Sequence, residues 1–389
     1  MFTEPLLQWF DEDDPPLQLS FISWAARVPD PRIDRRKLYP LVEILFIALC
    51  TFLSGGESFY DMERFGKRKL AFLRRFLPCT NGTPSHDTFA RVFSLLDPRL
   101  FASWFQRWAD AARAHPGHIA VDGKSLRGSR DSTKQLPPVH VLNVFANEAR
   151  VVLAQRLVQG KTNEHKQLPS LLKTLALKGA TVSIDAAGCY ADVAQEIRRQ
   201  KADYVLALKG NQGSLHELVQ DEFAQAEKEN FPAPGYAKHE EVDKGHGRVE
   251  NRVCVCTDKI DWLGKDILKK WPGFRSIVMV DRRCWRAQKE HFQRRFFISS
   301  LPPDAARHLH TVRGHWGVES MHWVLDMTFG EDRCMVRQRI AARNLSSVRK
   351  TAMNLVRQYK DQHPKESLKG LKLQAALDEN LLEDMLRGG

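Results

Sequence analysis

Within the stretch Arg313-Gly-His-Trp-Gly-Val-Glu-Ser-Met-His-Trp-Val-Leu-Asp326, the side chains suited to chemistry are His315, Glu319, His322 and Asp326. On a helix these fall at i, i+4, i+7 and i+11 and share one face, with Trp316 and Trp323 seven apart along its edge. An ordinary amphipathic helix would carry leucine or alanine there. A carboxylate between imidazoles and indoles is costly unless it meets a metal, a phosphate or another polar surface. Two more carboxylates end apolar runs far upstream, in His118-Ile-Ala-Val-Asp122 and Thr181-Val-Ser-Ile-Asp185. Two strand-end aspartates and one helix glutamate are the donor set of a divalent-metal nuclease, hard oxygens able to hold two Mg2+ ions about 3.5–4 Å apart. In that reading Asp122 and Asp185 bridge or face the metals and Glu319 closes the second position; Mn2+ is the expected substitute for Mg2+.

The elements that must position these groups can be read from periodicity. Residues 1–115 read as helical, with a buried helix over Leu38–Leu53 and a capped start at Pro84-Ser-His-Asp87. This is an expected DNA-binding or assembly module, with a packing domain as the plain alternative. From His118 the pattern becomes three strands (118–122, 139–146, 150–158), a helix (164–177), a strand (181–185), a helix (191–200) and a strand (204–208). That order is the ribonuclease H-like arrangement, a meander followed by βαβ crossovers, in which the first and fourth strands pair and bring Asp122 beside Asp185. The expected class is therefore α/β, a ribonuclease H-like catalytic domain over 116–360 with a mostly β insertion at about 230–300. An all-helical N-terminal domain precedes it, and a C-terminal helical tail covers 361–389.

Composition narrows the partner. The chain has 389 residues, a formal net charge of +12 and 43% apolar content, enough for a large core and a polyanionic partner, most simply DNA. Six Lys or Arg lie between Arg64 and Arg75, and eight between Arg333 and Lys360, without one Asp or Glu in either block. By contrast Asp11-Glu-Asp-Asp14 is acidic and expected to be mobile. Seven scattered cysteines without a C-x-x-C pair support neither a disulfide framework nor a zinc site. The apolar run Leu41–Leu53 contains Glu43 and is too short to span a bilayer. No signal peptide is read at the start, so the expected location is the cytoplasm, with nucleoid association when acting.

Several neighbours are candidate DNA contacts. Lys124, in Asp122-Gly-Lys124, can neutralise a phosphate, with a solvated loop lysine as the plain alternative; Lys209-Gly-Asn-Gln212 follows a strand end, where the lysine and the amides can grip a phosphate, with a plain turn as the alternative. His315 and His322 can donate to the backbone, Trp316 and Trp323 can stack a base or pack in a core, and Arg248 sits in the alternating run His246–Arg252. Arg337, Arg343 and Arg349 are expected on one basic helix. Competing chemistries lack their signatures. Glu319-Ser-Met-His322 has no second Glu-x-x-His for a di-iron bundle, and neither His-Glu-x-x-His nor Gly-x-Ser-x-Gly occurs. A DNA-binding protein without chemistry explains the charge but not three converging acids.

The linked motifs Asp122-Gly-Lys-Ser-Leu-Arg-Gly128, Ile184-Asp-Ala-Ala-Gly-Cys189, Tyr204-Val-Leu-Ala-Leu-Lys-Gly-Asn-Gln212 and His315 through Asp326, with Phe329-Gly-Glu-Asp332, resemble the DDE insertion-sequence transposases. The resemblance is to the branch with the H-repeat-associated proteins. Asp30-Pro-Arg32, Glu43–Leu53 and Pro84-Ser-His-Asp-Thr-Phe89 resemble that branch's associated helical domain, so the likeness spans nearly the whole chain. It implies that Asp122, Asp185 and Glu319 are the catalytic triad, and that the reaction is Mg2+-dependent cleavage at inverted-repeat element ends followed by strand transfer into target DNA. The protein would then act as a dimer or higher assembly. The alternatives are an inactive or domesticated DNA-binding relative and a metal-dependent nuclease without strand transfer. One departure matters: the wider group carries Tyr and Arg before the glutamate and Lys after it, where this chain has Val312, His315 and Asp326.

Overall fold

The computed structural model describes residues 21–111, 117–158, 163–245, 247–286 and 289–387. The acidic Asp11–Asp14 stretch and His246 lie outside the described residues. Two units are distinguished, the described residues of 1–112 with 127–136 and 324–389, and those of 113–126 with 137–323.

Helices α1 (Phe21–Ala25), α2 (Leu41–Leu53), α3 (Phe59–Arg68), α4 (Leu70–Leu73), α5 (His86–Leu95) and α6 (Pro98–Ala111) belong to the first unit. Local chemistry sets their starts. Ser58 and Asp61 form a reciprocal capping box on α3, and Ser85, within the expected capped start, accepts from Thr88 N on α5.

In the second unit, strands β1 (His118–Leu126), β2 (Val139–Ala146) and β3 (Val151–Val158) form the expected meander. Helix α7 (Glu164–Leu172), β4 (Thr181–Ile184), α8 (Ala191–Arg199), β5 (Asp203–Leu208) and α9 (Gly213–Lys228) supply the crossovers and the helix beyond them. There follow β6 (Ala237–Gly245), β7 (Arg248–Thr257), α10 (Lys265–Lys270), β8 (Ser276–Arg286) and β9 (Lys289–Ser299). All nine strands join one mixed sheet in the order β3-β2-β1-β4-β5-β9-β8-β7-β6.

The run from Tyr236 to Cys256 folds as a hairpin of β6 and β7, turned at Gly247 with φ +70°. Strand β9 pairs antiparallel with β5 along Val205–Leu208, so the added ribbon extends the central sheet.

Helix α11 (Ala305–Met327) packs its Leu309 and Val312 into a core with Val205, Cys254, Val278, Val280 and Phe297 from the sheet. That burial is the physical reason its chemically unusual residues come to a fixed place over the strands. Helices α12 (Arg339–Gln362), α13 (Leu368–Leu377) and α14 (Glu379–Arg387) complete the helical unit, with α12 against α2, α5 and α6. Residues 339–389 thus group with the N-terminal helices rather than splitting at 360.

The same packing corrects the reading of the basic blocks. Arg349, fully buried, sets its guanidinium 4.7 Å over the Phe52 ring and donates to Glu57 O at 2.9 Å. Lys350 is buried against Glu331 at 3.7 Å. In the Arg64–Arg75 block, Lys67 pairs with Glu63, Lys69 with Glu379 and Arg75 with Glu383. The acids that neutralise these blocks come largely from other segments, where a window along the chain does not reach.

Candidate active site

Parallel pairing of β1 with β4 puts Val121 opposite Ile184, so Asp122 and Asp185 occupy the next position on neighbouring strands. Asp185 directly follows β4, as expected; Asp122 does not end its strand, because β1 runs on to Leu126. Glu319 approaches from α11, and that helix can lie close because of its two glycines. A Cβ on Gly314 would fall 2.5 Å from His118 Nδ1, and one on Gly317 would fall 2.0 Å from Asn147 Oδ1. The Gly-His-Trp-Gly spacing is therefore a close-approach device, with the glutamate two residues beyond it.

The three carboxylates feel one another. Burial first, then repulsion from Asp185, with Glu164 and Glu319 adding, pushes the Asp122 carboxyl up to about 7. Burial and Glu164 raise Asp185, against the opposing N–H groups of Ala187 and Gly188 and the ammonium of Lys209. Burial raises Glu319 too, with Asp185 in the same direction and Arg295 against it.

Glu164, in the first turn of α7, is a fourth carboxylate that nothing in its local sequence singles out. It is buried, and its Oε1 lies 2.6 Å from His140 Nε2, whose Nδ1 lies 2.9 Å from Ser125 Oγ. Gly123 makes room for this pair, since a Cβ there would meet Glu164 Oε1 at 2.5 Å and His140 Nε2 at 2.7 Å.

The other expected contacts fall in several places. His315 is bound through Nδ1 to Ser183 Oγ at 2.9 Å, and Ser183 Oγ also lies 2.7 Å from His118 Nε2. Burial, then the charge of Arg295, depresses His315 to about 4, so it is a neutral imidazole at pH 7. His322 faces Asp122, with Nδ1 3.6 Å from Oδ2 and Nε2 2.9 Å from Asn143 Nδ2. Lys209 is exposed just after β5 and shares a cavity of about 330 Å³ with Asp185, Glu319, His315 and Arg295. Asn211 and Gln212, expected to grip phosphate, instead donate to Ala186 O and Cys189 O and tie down the Asp185 loop.

Lys124 lies within β1 and is buried, which overturns the solvated loop lysine. Trp316 is partly exposed beneath Arg295, whose guanidinium carbon is 4.9 Å from the ring centre, and Trp323 is more exposed. Arg248 is exposed on β7 and lies 3.3 Å from Glu250. Arg337 and Arg343 belong to the helical unit: Arg337 is exposed and precedes α12, and Arg343 is half-buried on it. Arg349, buried as described, is withdrawn as a DNA contact.

Charge and donor type fit a divalent cation. Asp185 and Glu319 raise the proton affinity of Asp122, and Asp185 raises that of Glu319, and a bound cation would relieve that repulsion. As they stand the donors are not drawn into a cage: among the described residues no group of three or more His, Cys, Asp or Glu is arranged to hold a metal.

The sequence matches the family described as Transposase DDE domain over residues 113–355, and the one described as DDE_Tnp_1-associated over residues 23–109. A putative transposase YncI of Escherichia coli O157:H7 is 34% identical over 94% of this chain and 94% of its own length. An H repeat-associated putative transposase YhhI of Escherichia coli strain K12 is 34% identical over 93% of this chain and 96% of its own. A piggyBac transposase, solved as a synaptic complex with hairpin DNA, aligns over 96% of this chain and 78% of that chain, with a TM-score of 0.41 and 12% identity.

Proposed function

This chain belongs to the DDE transposase family, and from that premise we propose that it cuts DNA at the ends of its own element and joins those ends to a target. The observation that carries the reading is the convergence of Asp122, Asp185 and Glu319, from two neighbouring strands and one helix, into a group whose members repel one another.

In this reading the second unit is a ribonuclease H-like catalytic domain, and the helical unit binds DNA or assembles copies of the chain. Asp122, Asp185 and Glu319 would hold Mg2+ or Mn2+, which when bound activates the attacking hydroxyl and stabilises the leaving oxygen. The chain's own residues do the rest. The Asn211 and Gln212 amides hold the Asp185 loop, and His322 and Asn143 set the side-chain direction at Asp122. Lys209 offers an exposed ammonium to a phosphate entering beside Asp185.

The test is cleavage and joining on duplexes carrying the gene's flanking inverted repeats, for wild type and Glu319→Gln, each with Mg2+ and with EDTA. Joined products that need both Mg2+ and Glu319 support the proposal. Cleavage without joining reduces the protein to a nuclease, and equal products from Glu319→Gln would remove the carboxylates from the chemistry.

A further inference from the structure

Five arginines line the cavity beside Asp185 and Glu319 and the smaller one that adjoins Trp316: Arg252, Arg282, Arg294, Arg295 and Arg313. Four are spoken for. Arg252 pairs with Asp243 and Glu250, Arg282 with Glu250, Arg294 with Asp281 and Glu227, and Arg313 with Glu241 and Asp243. Among the described residues the Arg295 side chain has no hydrogen bond and no ion pair. The residue is half-buried, its guanidinium carbon sits 4.9 Å from the ring centre of Trp316, and it lines both cavities.

A half-buried guanidinium without an anion is expensive, and an indole face compensates only part of the lost hydration. Burial, the largest influence on its proton affinity, accordingly depresses it. Four neighbours, three on the same ribbon and Arg313 on α11, show that acids were available here, yet none reaches Arg295. Glu319 influences it without coming within 4.0 Å, the limit of an ion pair. The vacant donors therefore face a cavity that also holds Glu319, Asp185 and Lys209. A guanidinium presents paired N–H groups matched to two phosphate oxygens.

Resting on the transposase reading, we propose that Arg295 grips the DNA phosphate next to the bond addressed by Asp122, Asp185 and Glu319, with Trp316 as the platform that holds its guanidinium in plane. The strand thus supplies a cation that helix α11 does not. Val312 is sealed in the core, and His315 is neutral and bound to Ser183.

The test uses the full chain and duplexes carrying the gene's flanking inverted repeat, with binding read in EDTA by fluorescence anisotropy over a salt series and cleavage read separately in Mg2+. Arg295→Ala should weaken binding about tenfold and flatten the salt slope by about 0.9, while Arg295→Lys should restore the slope and part of the affinity. Single methylphosphonates are then placed along the end. Wild type should lose affinity at a phosphate beside the cleavage position, and Arg295→Ala should be indifferent to that same substitution.

Unchanged slope and unchanged methylphosphonate profile in Arg295→Ala, with wild type still binding and cutting, would overturn the assignment and leave the transposase reading intact. So would a loss of cleavage without a change in slope, which marks a packing role. If Arg295→Ala does not fold, a wild-type profile with no sensitive phosphate beside the cleavage position overturns it equally. Wild type that neither binds nor cuts these ends would remove both readings.

Discussion

Replacing Asp122 by asparagine should make the metal-free protein more stable while abolishing its proposed chemistry. The Asp122 carboxyl is raised from 3.8 to about 7 by burial and by its acidic neighbours. For a raised acid, the native state keeps a proton that the unfolded chain has already released. Its contribution is thus most favourable below about pH 4, declines as pH climbs, and is fully lost above about pH 7. At about 1.4 kcal/mol per tenfold change in proton affinity, that rise corresponds to about 4 kcal/mol at pH 8. The side chain is 23% exposed, so solvent screening lowers the figure, and we expect a gain of about 2 kcal/mol at pH 8 and less than about 1 kcal/mol at pH 5. Urea unfolding in EDTA, followed by tryptophan fluorescence, measures both. A His322→Gln background removes the imidazole 3.6 Å away, so that its own titration does not enter. Excess Mg2+ should then stabilise wild type and not Asp122→Asn. A variant less stable than wild type at pH 8, or one whose advantage persists undiminished at pH 5, would refute the crowded-carboxylate argument.

Three further substitutions probe what holds the site. Gly123→Ala should destabilise by about 2–3 kcal/mol, because its Cβ meets a buried, mutually bonded pair, and adding Glu164→Ala should recover part of the loss; a neutral Gly123→Ala in urea melts would mean the pair yields freely. Gly317→Ala should displace α11 from Asn147 and lower cleavage about 100-fold with DNA affinity nearly unchanged; full cleavage would show that the glycine does not set the helix distance. Arg349→Ala should cost about 3 kcal/mol of stability and leave the DNA salt slope unaltered; a stable variant with a flatter slope would return Arg349 to the surface.

Much of the sheet that carries the candidate site was legible because strands announce themselves by apolar runs and turns. The meander, the crossovers and the β1–β4 pairing, which together bring Asp122 beside Asp185, follow from element order alone. What was not legible depends on partners distant in sequence. Helix α12 reads as a basic surface because the stretch from Arg333 to Lys360 holds no acid, yet Arg349 and Lys350 are buried with Phe52, Glu57 and Glu331. Glu164 carries no local mark to separate it from any acid in a helix's first turn, where the helix dipole favours one. Its meaning comes from His140 and from the gap left at Gly123. Nor does a hydrophobic pattern say that a ribbon after α9 will extend the sheet through β9, which is a matter of strand edges rather than of side chains.

The departure at Val312 and His315 shows how such a site can keep its electrostatic plan while changing the element that supplies it. A cation on α11 four residues before Glu319 would stand where His315 now closes a chain of hydrogen bonds with Ser183 and His118. Burial there keeps the imidazole neutral, with the neighbouring charge of Arg295 acting in the same direction. A charged His315 would be repelled by Arg295, which adds to the cost that burial sets on it. The chain keeps His315 neutral. It places the permanent charge on β9, a sheet strand, and stacks it on Trp316 from the neighbouring helix. A guanidinium fixed in this way retains its charge across the pH range in which the carboxylates titrate, which a histidine at position 315 would not.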